Sequence, residues 1–221
     1  MGCMPDGRAA TGSACNHSRG VAVDATTELS DDELMARFAV GDTRAARLLA
    51  IRHTPRVLSL SYRVLGDYSE AEDVVQEAML RLWQIAGDWR PGVARVSTWL
   101  YRVATNLSLD RLRQRKRQMG YSSGEDANGA TVDVNEVRDS AAGAEQKLLD
   151  ADRANALHGA LAALPDRSRV AVTLRHLEQL SNPEIADIMG TSVEAVESLT
   201  ARGRRILAKR LLKQKEEIGF V

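Results

Sequence analysis

Apolar residues recur along this chain at three- and four-residue intervals, the spacing of helices with one buried side. The clearest stripe is Ala71, Val74, Val75, Ala78, Leu82 and Ile85, which predicts a helix over Ser69–Ile85. Glu72, Asp73, Gln76, Glu77, Arg81 and Gln84 fall on its other side. Upstream, Leu34, Met35 and Phe38 mark a short helix, and Leu48, Leu49, Val57, Leu58, Leu60 and Leu65 a longer one over Ala45–Leu65. Pro55 lies inside the longer helix and predicts a kink or a break there. Ser30 with Glu33, and Ser69 with Glu72, have the spacing of capping boxes, each satisfying free N–H groups at a helix start. Asp88-Trp89-Arg90-Pro91-Gly92 reads as a loop, and a further helix runs from Ser97 to Gln118. In it Trp99, Leu100, Val103, Ala104, Leu107 and Leu112 can pack inward.

Periodicity then stops. From Met119 to about residue 144 the chain gains Gly, Ser, Asn and acidic residues, a composition that predicts a flexible acidic linker. Helical spacing resumes at Glu145–Leu164, breaks at Leu164-Pro165-Asp166, and returns over Arg167–Leu177. Last comes Ser181 to Lys213, two helices joined by a tight turn. Ser181 and Glu184 form another capping box, Pro183 falls in the first turn, and Gly190 suits a left-handed C-cap. The small Ala186 lets the helices cross closely, and Val196 and Leu199 anchor the second on the first. That is a helix-turn-helix. Its outer face carries Glu194, Glu197, Ser198, Ala201, Arg202, Arg204 and Arg205, polar and basic groups suited to a major groove and its phosphates. An ordinary helical hairpin with a solvated face shares the periodicity but not the joint placement of Ala186, Gly190 and the two anchors.

The expected fold is therefore all-α, two small helical domains joined by a flexible acidic linker. The expected divisions are a disordered tail over 1–27, a first domain over 28–118, the linker over 119–144, and a second domain over 145–215. Composition agrees with helices, since aromatic residues make up 4% of the 221 and Ala, Leu, Arg and Glu are plentiful. No apolar run of about eighteen residues exists, and the first twenty residues have no apolar block, so a soluble cytoplasmic protein without membrane insertion is expected.

Charge changes the picture more. Thirty basic residues balance thirty acidic ones, unusual for a protein that grips DNA unaided. The charges are segregated, with one basic block at Arg111, Arg113, Arg115, Lys116 and Arg117, another over 202–215, and the acidic linker between. Such a pattern suggests DNA affinity borrowed from a larger partner. Cys3, Cys15 and His17 fall short of a four-ligand zinc site, so neither metal nor cofactor is expected. No phosphate loop, HExxH, paired-cysteine motif or nucleophile elbow occurs, and an enzyme is not expected.

Three motifs in order, DYSEAEDVVQEAMLRLW at 67–83, STWLYRVATNLSLDRLRQRKR at 97–117 and the helix-turn-helix at 181–208, resemble the bacterial RNA polymerase sigma factors of the extracytoplasmic-function class. The resemblance covers roughly 28–118 and 145–213. It implies that the first motif grips the clamp of the polymerase largest subunit through Asp73, Gln76, Glu77, Leu80, Arg81 and Trp83. It implies that the second reads the melted −10 strand through Trp89, Trp99, Tyr101, Asn106, Asp110, Arg111, Arg113 and Arg115. Asn106 matches the family's base-contacting asparagine. Trp99 and Tyr101 also fit a reading as core aromatics near a helix start. The third motif would read the −35 duplex through Glu194, Glu197, Ser198, Arg202, Arg204 and Arg205. Glu197 departs from the family, in which many members carry a basic residue there. Core polymerase, promoter DNA and an anti-sigma factor are the implied partners. A stand-alone helix-turn-helix regulator is the alternative that the residues leave open.

Overall fold

The computed structural model of the chain describes residues 29–121 and 156–217, with side chains over 29–118 and 156–212. The expected tail with Cys3 and Cys15 and nearly all of the expected linker lie outside these residues. Eight α-helices and no strand occur among the described residues. Helices α1 (Asp31–Ala39), α2 (Thr43–Leu65), α3 (Tyr68–Gln84) and α4 (Val96–Tyr121) form the first unit. The second holds α5 (residues 156–162 of it described), α6 (Asp166–Val172), α7 (Asn182–Met189) and α8 (Val193–Glu217).

Local chemistry sets most of the boundaries. Ser30 and Ser181 accept from the N–H groups of Glu33 and Glu184, whose carboxylates return the bond, so both capping boxes are present. The pairing expected at Ser69 does not cap α3. Asp67 lies two residues earlier and its carboxylate accepts from the Glu70 N–H at 2.9 Å, so the helix begins at Tyr68. Asp42 caps α2 in the same way. That helix runs unbroken from Thr43 to Leu65 with Pro55 inside it. Gly66 and Gly190 end α2 and α7 in the left-handed conformation that glycine adopts without strain.

The helix expected over Arg167–Leu177 is α-helical only to Val172. Thr173–Leu177 widens into a π-turn, and Gln179 then takes φ +57°. A β-carbon at that φ is strained, and glycine removes the strain. Gln179→Gly should therefore stabilise the chain by ~0.5–1 kcal/mol, read as a raised urea midpoint with unchanged slope.

The two units share one core. Leu34, Leu49, Leu60, Val74, Leu82 and Leu100 of the first unit belong to the same buried cluster as Leu174, Ile185, Ile188 and Val196 of the second. A smaller apolar cluster, Leu161, Leu164 and Val172, sits between α5 and α6 beneath α8. Gly203 of α8 is buried there, and a β-carbon on it would lie 2.4 Å from Val172 Cγ2, so the α6–α8 crossing depends on its absence.

The C-terminal end of α2 is the polar joint between the units. Its Val64 and Leu65 carbonyls have no partner within the helix and carry the negative end of the helix dipole. Arg115 of α4 donates to the Leu65 carbonyl at 3.0 Å, and Arg169 of α6 to that of Val64. His158 of α5 stacks on Tyr62 with ring centroids 4.8 Å apart and lies against Gly66. Burial, and secondarily the Arg169 charge, holds this imidazole below its usual value of 6.5. Below that value the unfolded chain takes up a proton that the native state refuses, so native stability falls with pH. Thermal unfolding should move to lower temperature between pH 7.5 and 5.5. His158→Phe, which keeps a ring on Tyr62, should shrink the shift. His176, depressed in the same direction by burial and neighbouring arginines, accounts for a remainder.

Candidate nucleic-acid and polymerase interface

Three exposed stripes carry the candidate residues, one each on α3, α4 and α8. On α3 the apolar side is buried through Ala71, Val74, Val75, Ala78, Met79 and Leu82, as its periodicity requires. This turns Asp73, Gln76, Leu80 and Arg81 to solvent, with Glu77 partly exposed beside them. Arg81 pairs with Glu77 at 2.8 Å across one turn, and Leu80 is 56% exposed, an apolar side chain set among charges. Apolar groups ringed by polar ones suit a protein partner. Trp83 lies apart from this stripe. It is half-buried and packs on Phe38 with centroids 4.8 Å apart, so its place is in the core of the unit.

Helix α4 divides its candidates more sharply. Asn106, Asp110 and Arg113 are exposed, the last two joined at 2.7 Å. The other two arginines are not. Arg111 donates to the Glu70 carbonyl and stands 3.6 Å from Asp73, while Arg115 pairs with Glu70 at 2.6 Å as well as capping α2. The expectation that Arg111 and Arg115 lie outward against phosphate is corrected: the start of α3 and the end of α2 face that side of α4. The aromatics are committed too. Trp89 donates its indole N–H to Asp32 at 2.8 Å, and Trp99 packs against the core. Tyr101 is 5% exposed and donates its hydroxyl to Glu178 at 2.7 Å, and burial raises its pKa well above the ordinary range. Of the two readings open for Trp99 and Tyr101, the core one describes this arrangement.

Glu178 is the residue that sequence reasoning missed. It also accepts from Arg63 at 3.3 Å, so one carboxylate after the π-turn fastens the second unit to α2 and α4. Arg95–Glu184 at 3.9 Å and Arg102–Asp187 at 4.0 Å extend the contact along α4 and α7, but such exposed pairs contribute little.

The helix-turn-helix has the expected turn and its Val196 anchor, while Leu199, the second expected anchor, is only partly buried. Gly190 turns the chain, Ile185, Ala186, Ile188 and Val196 are buried between its helices, and Ser192 Oγ accepts from the Ala195 N–H at the start of α8. Glu194, Glu197, Ser198, Arg202, Arg204 and Arg205 are all exposed. The Glu194 carboxylate is held low by its own backbone N–H and by Ser192, a capping arrangement. Glu197 instead accepts from Asn182 of α7 at 3.3 Å. Among the described side chains of α8 the acids occupy the first turns and the cations follow. The arrangement suits a helix whose start meets base edges and whose later turns meet phosphates.

Two family models match the chain, Sigma-70 region 2 over residues 49–118 and Sigma-70, region 4 over residues 154–207. The chain is 33% identical over 173 residues to the ECF RNA polymerase sigma factor SigW of Bacillus subtilis, spanning 77% of this chain and 91% of that protein. It is 30% identical over 180 residues to the ECF RNA polymerase sigma-E factor of Escherichia coli K12, spanning 81% and 93%. Among solved structures, CnrH in complex with the cytosolic domain of CnrY aligns with TM-score 0.56 and 27% identity over 82% of this chain and 96% of that one. The sigma factor RpoE of Bartonella quintana, in complex with the anti-sigma factor NepR, shares the fold at TM-score 0.59 and 19% identity, over 75% and 95%.

Proposed function

Since the chain belongs to the RNA polymerase sigma factors of the extracytoplasmic-function class, it is a promoter-specificity subunit, and we propose how its surfaces divide that work. The exposed stripe of α3 docks on the clamp of the polymerase largest subunit through Asp73, Gln76, Glu77, Leu80 and Arg81. Asn106, with Asp110 and Arg113, meets the melted −10 strand. Capture of a flipped base there would offset the few kcal/mol of unstacking, so no ATP is needed. The exposed face of α8 reads the −35 duplex. Residues 28–118 and 145–215 are the two working domains and 119–144 joins them. The protein works in the cytoplasm and has no catalysis of its own.

The observation that carries this reading is the joint exposure of the α3 and α8 stripes on a chain matched by both regional models. Two DNA contacts of this kind lie more than two turns of duplex apart, roughly 70 Å. The proposal therefore includes an opening of the α4–α7 contact, so that the two units part on promoter DNA. An anti-sigma factor that holds them together would keep the protein inactive; the RpoE of Bartonella quintana was solved in complex with such a factor.

Run-off transcription with purified core polymerase tests the reading. A promoter-dependent product is expected, whereas tight operator binding by the chain alone without any product would mark a stand-alone regulator. Asn106→Ala should cut open-complex formation ~10-fold or more while core binding and thermal stability stay unchanged, because the side chain is exposed.

A further inference from the structure

Among the described side chains of α8, the one acid on the exposed basic face that capping does not account for is Glu197. Glu194 is occupied at its own helix start. Glu197 stands one turn further on, exposed, and among the described residues no cation pairs with it. Its one described bond comes from the side-chain amide of Asn182, the first residue of α7, which reaches Glu197 Oε1 at 3.3 Å. That bond leaves Oε2 uncommitted and fixes the direction in which the carboxylate points.

A carboxylate facing DNA is repelled by phosphate. It is tolerated only where it meets a hydrogen-bond donor, and the major groove offers just two, the exocyclic amines of cytosine and adenine. Adenine places the N7 acceptor beside its amine, and a second acceptor repels a group that can only accept. Cytosine presents its N4 amine next to a C–H. The donor that suits an ionised Glu197 is therefore cytosine. The cations beyond it, Arg202, Arg204 and Arg205, lie where the helix leaves the base edges for the backbone.

We propose that Glu197, aimed by Asn182, is a specificity-determining residue that selects cytosine at the base pair it faces, with Asn182 as its positioning residue. This rests on the reading of α8 as the helix that meets the upstream duplex. The usual worth of one such base contact is a preference of roughly 5- to 150-fold. Asn182 contributes by ordering the side chain before contact, worth about 2- to 10-fold.

The test is selection from a library of random 50-bp duplexes (~50 bp covers both elements) by polymerase holoenzyme carrying the full chain. The wild type should enrich cytosine at one position of the upstream element. Glu197→Gln should move the preference at that position alone to adenine, because an amide can donate to N7 while accepting from N6. Asn182→Ala should flatten the cytosine preference without changing the preferred base. Both variants should melt at the wild-type temperature. Identical selection by the wild type and Glu197→Gln overturns the proposal. Arg202→Ala then separates the causes. If it alters selection while Glu197→Gln does not, α8 reads the duplex and only the role of Glu197 falls. If neither alters it, the reading of α8 falls as well.

Discussion

Replacing Asp73 and Glu77 together with lysine should lower affinity for core polymerase more than ~100-fold, with the fold intact. Both side chains lie on the outer side of α3, 61% and 44% exposed, so reversal creates no buried charge. What they lose internally is one pair at 3.6 Å with Arg111 and one at 2.8 Å with Arg81. Exposed pairs of this kind are worth ~0–1 kcal/mol each, which predicts a small change in melting temperature. At an interface the same reversal places like charges opposite one another, a cost of several kcal/mol, and ~3 kcal/mol is already more than a hundredfold. Leu80, one turn beyond Glu77 on the stripe, should behave differently: Leu80→Ala removes an apolar contact and raises the off-rate without changing the salt dependence. The measurement is fluorescence anisotropy of the labelled chain titrated with core polymerase at two salt concentrations. Wild-type affinity in the double variant removes the clamp assignment.

How far the sequence reached depends on the range of the interactions involved. Ser30, Ser181 and Gly190 were readable because their partners lie within four residues. Asp67 was missed in favour of Ser69 although both fit a cap, because the choice depends on which carboxylate or hydroxyl the incoming chain from α2 brings to the free N–H groups. The helix-turn-helix was legible since two short helices and one glycine fix it almost alone. The basic block of α4 was only half legible. Charges in a row read as one surface, yet at helical spacing Arg111 and Arg115 face the bundle and Arg113 faces out. Nothing local announces that α3 begins and α2 ends beside them. Glu178 had no signal at all, since its partners Arg63 and Tyr101 are 115 and 77 residues away. The contact between the units follows the same rule: helical spacing marks inward sides on α2 and α4, but not that Leu174, Ile185 and Ile188 of the second unit share their core.

That contact supplies the second large effect, at Arg169. Its guanidinium is nearly buried and donates to three carbonyls, Val64 at the end of α2 and Ala162 and Leu164 at the end of α5. Desolvation lowers its pKa, the Asp166 carboxylate opposes that shift, and Arg115, capping the neighbouring carbonyl of α2, adds a smaller lowering. The guanidinium stays charged, as arginine does in proteins, with its carbonyl bonds and the Asp166 carboxylate favouring the cation. Arg169→Met keeps the stem and removes the fork, leaving buried acceptors unsatisfied at ~1–3 kcal/mol each. A loss of about 3 kcal/mol should lower the melting temperature by roughly 6–12 °C in a chain of this size. Arg169→Lys should recover little, because a single ammonium cannot present the planar fork that spans three carbonyls on two helices. The two ends of the fork also make a distinction possible. Loss of the Val64 bond loosens the units from one another, while loss of the Ala162 and Leu164 bonds loosens α5 from α6 inside the second unit. Hydrogen exchange separates them: faster exchange at Gly66 and along the α4–α7 contact reports parting of the units, and faster exchange in α5 alone reports local fraying. If Arg169 ties the two units together as its bond to Val64 requires, both regions accelerate in Arg169→Met. Protection at the α4–α7 contact equal to the wild type would assign the joint to the apolar cluster and Glu178 instead.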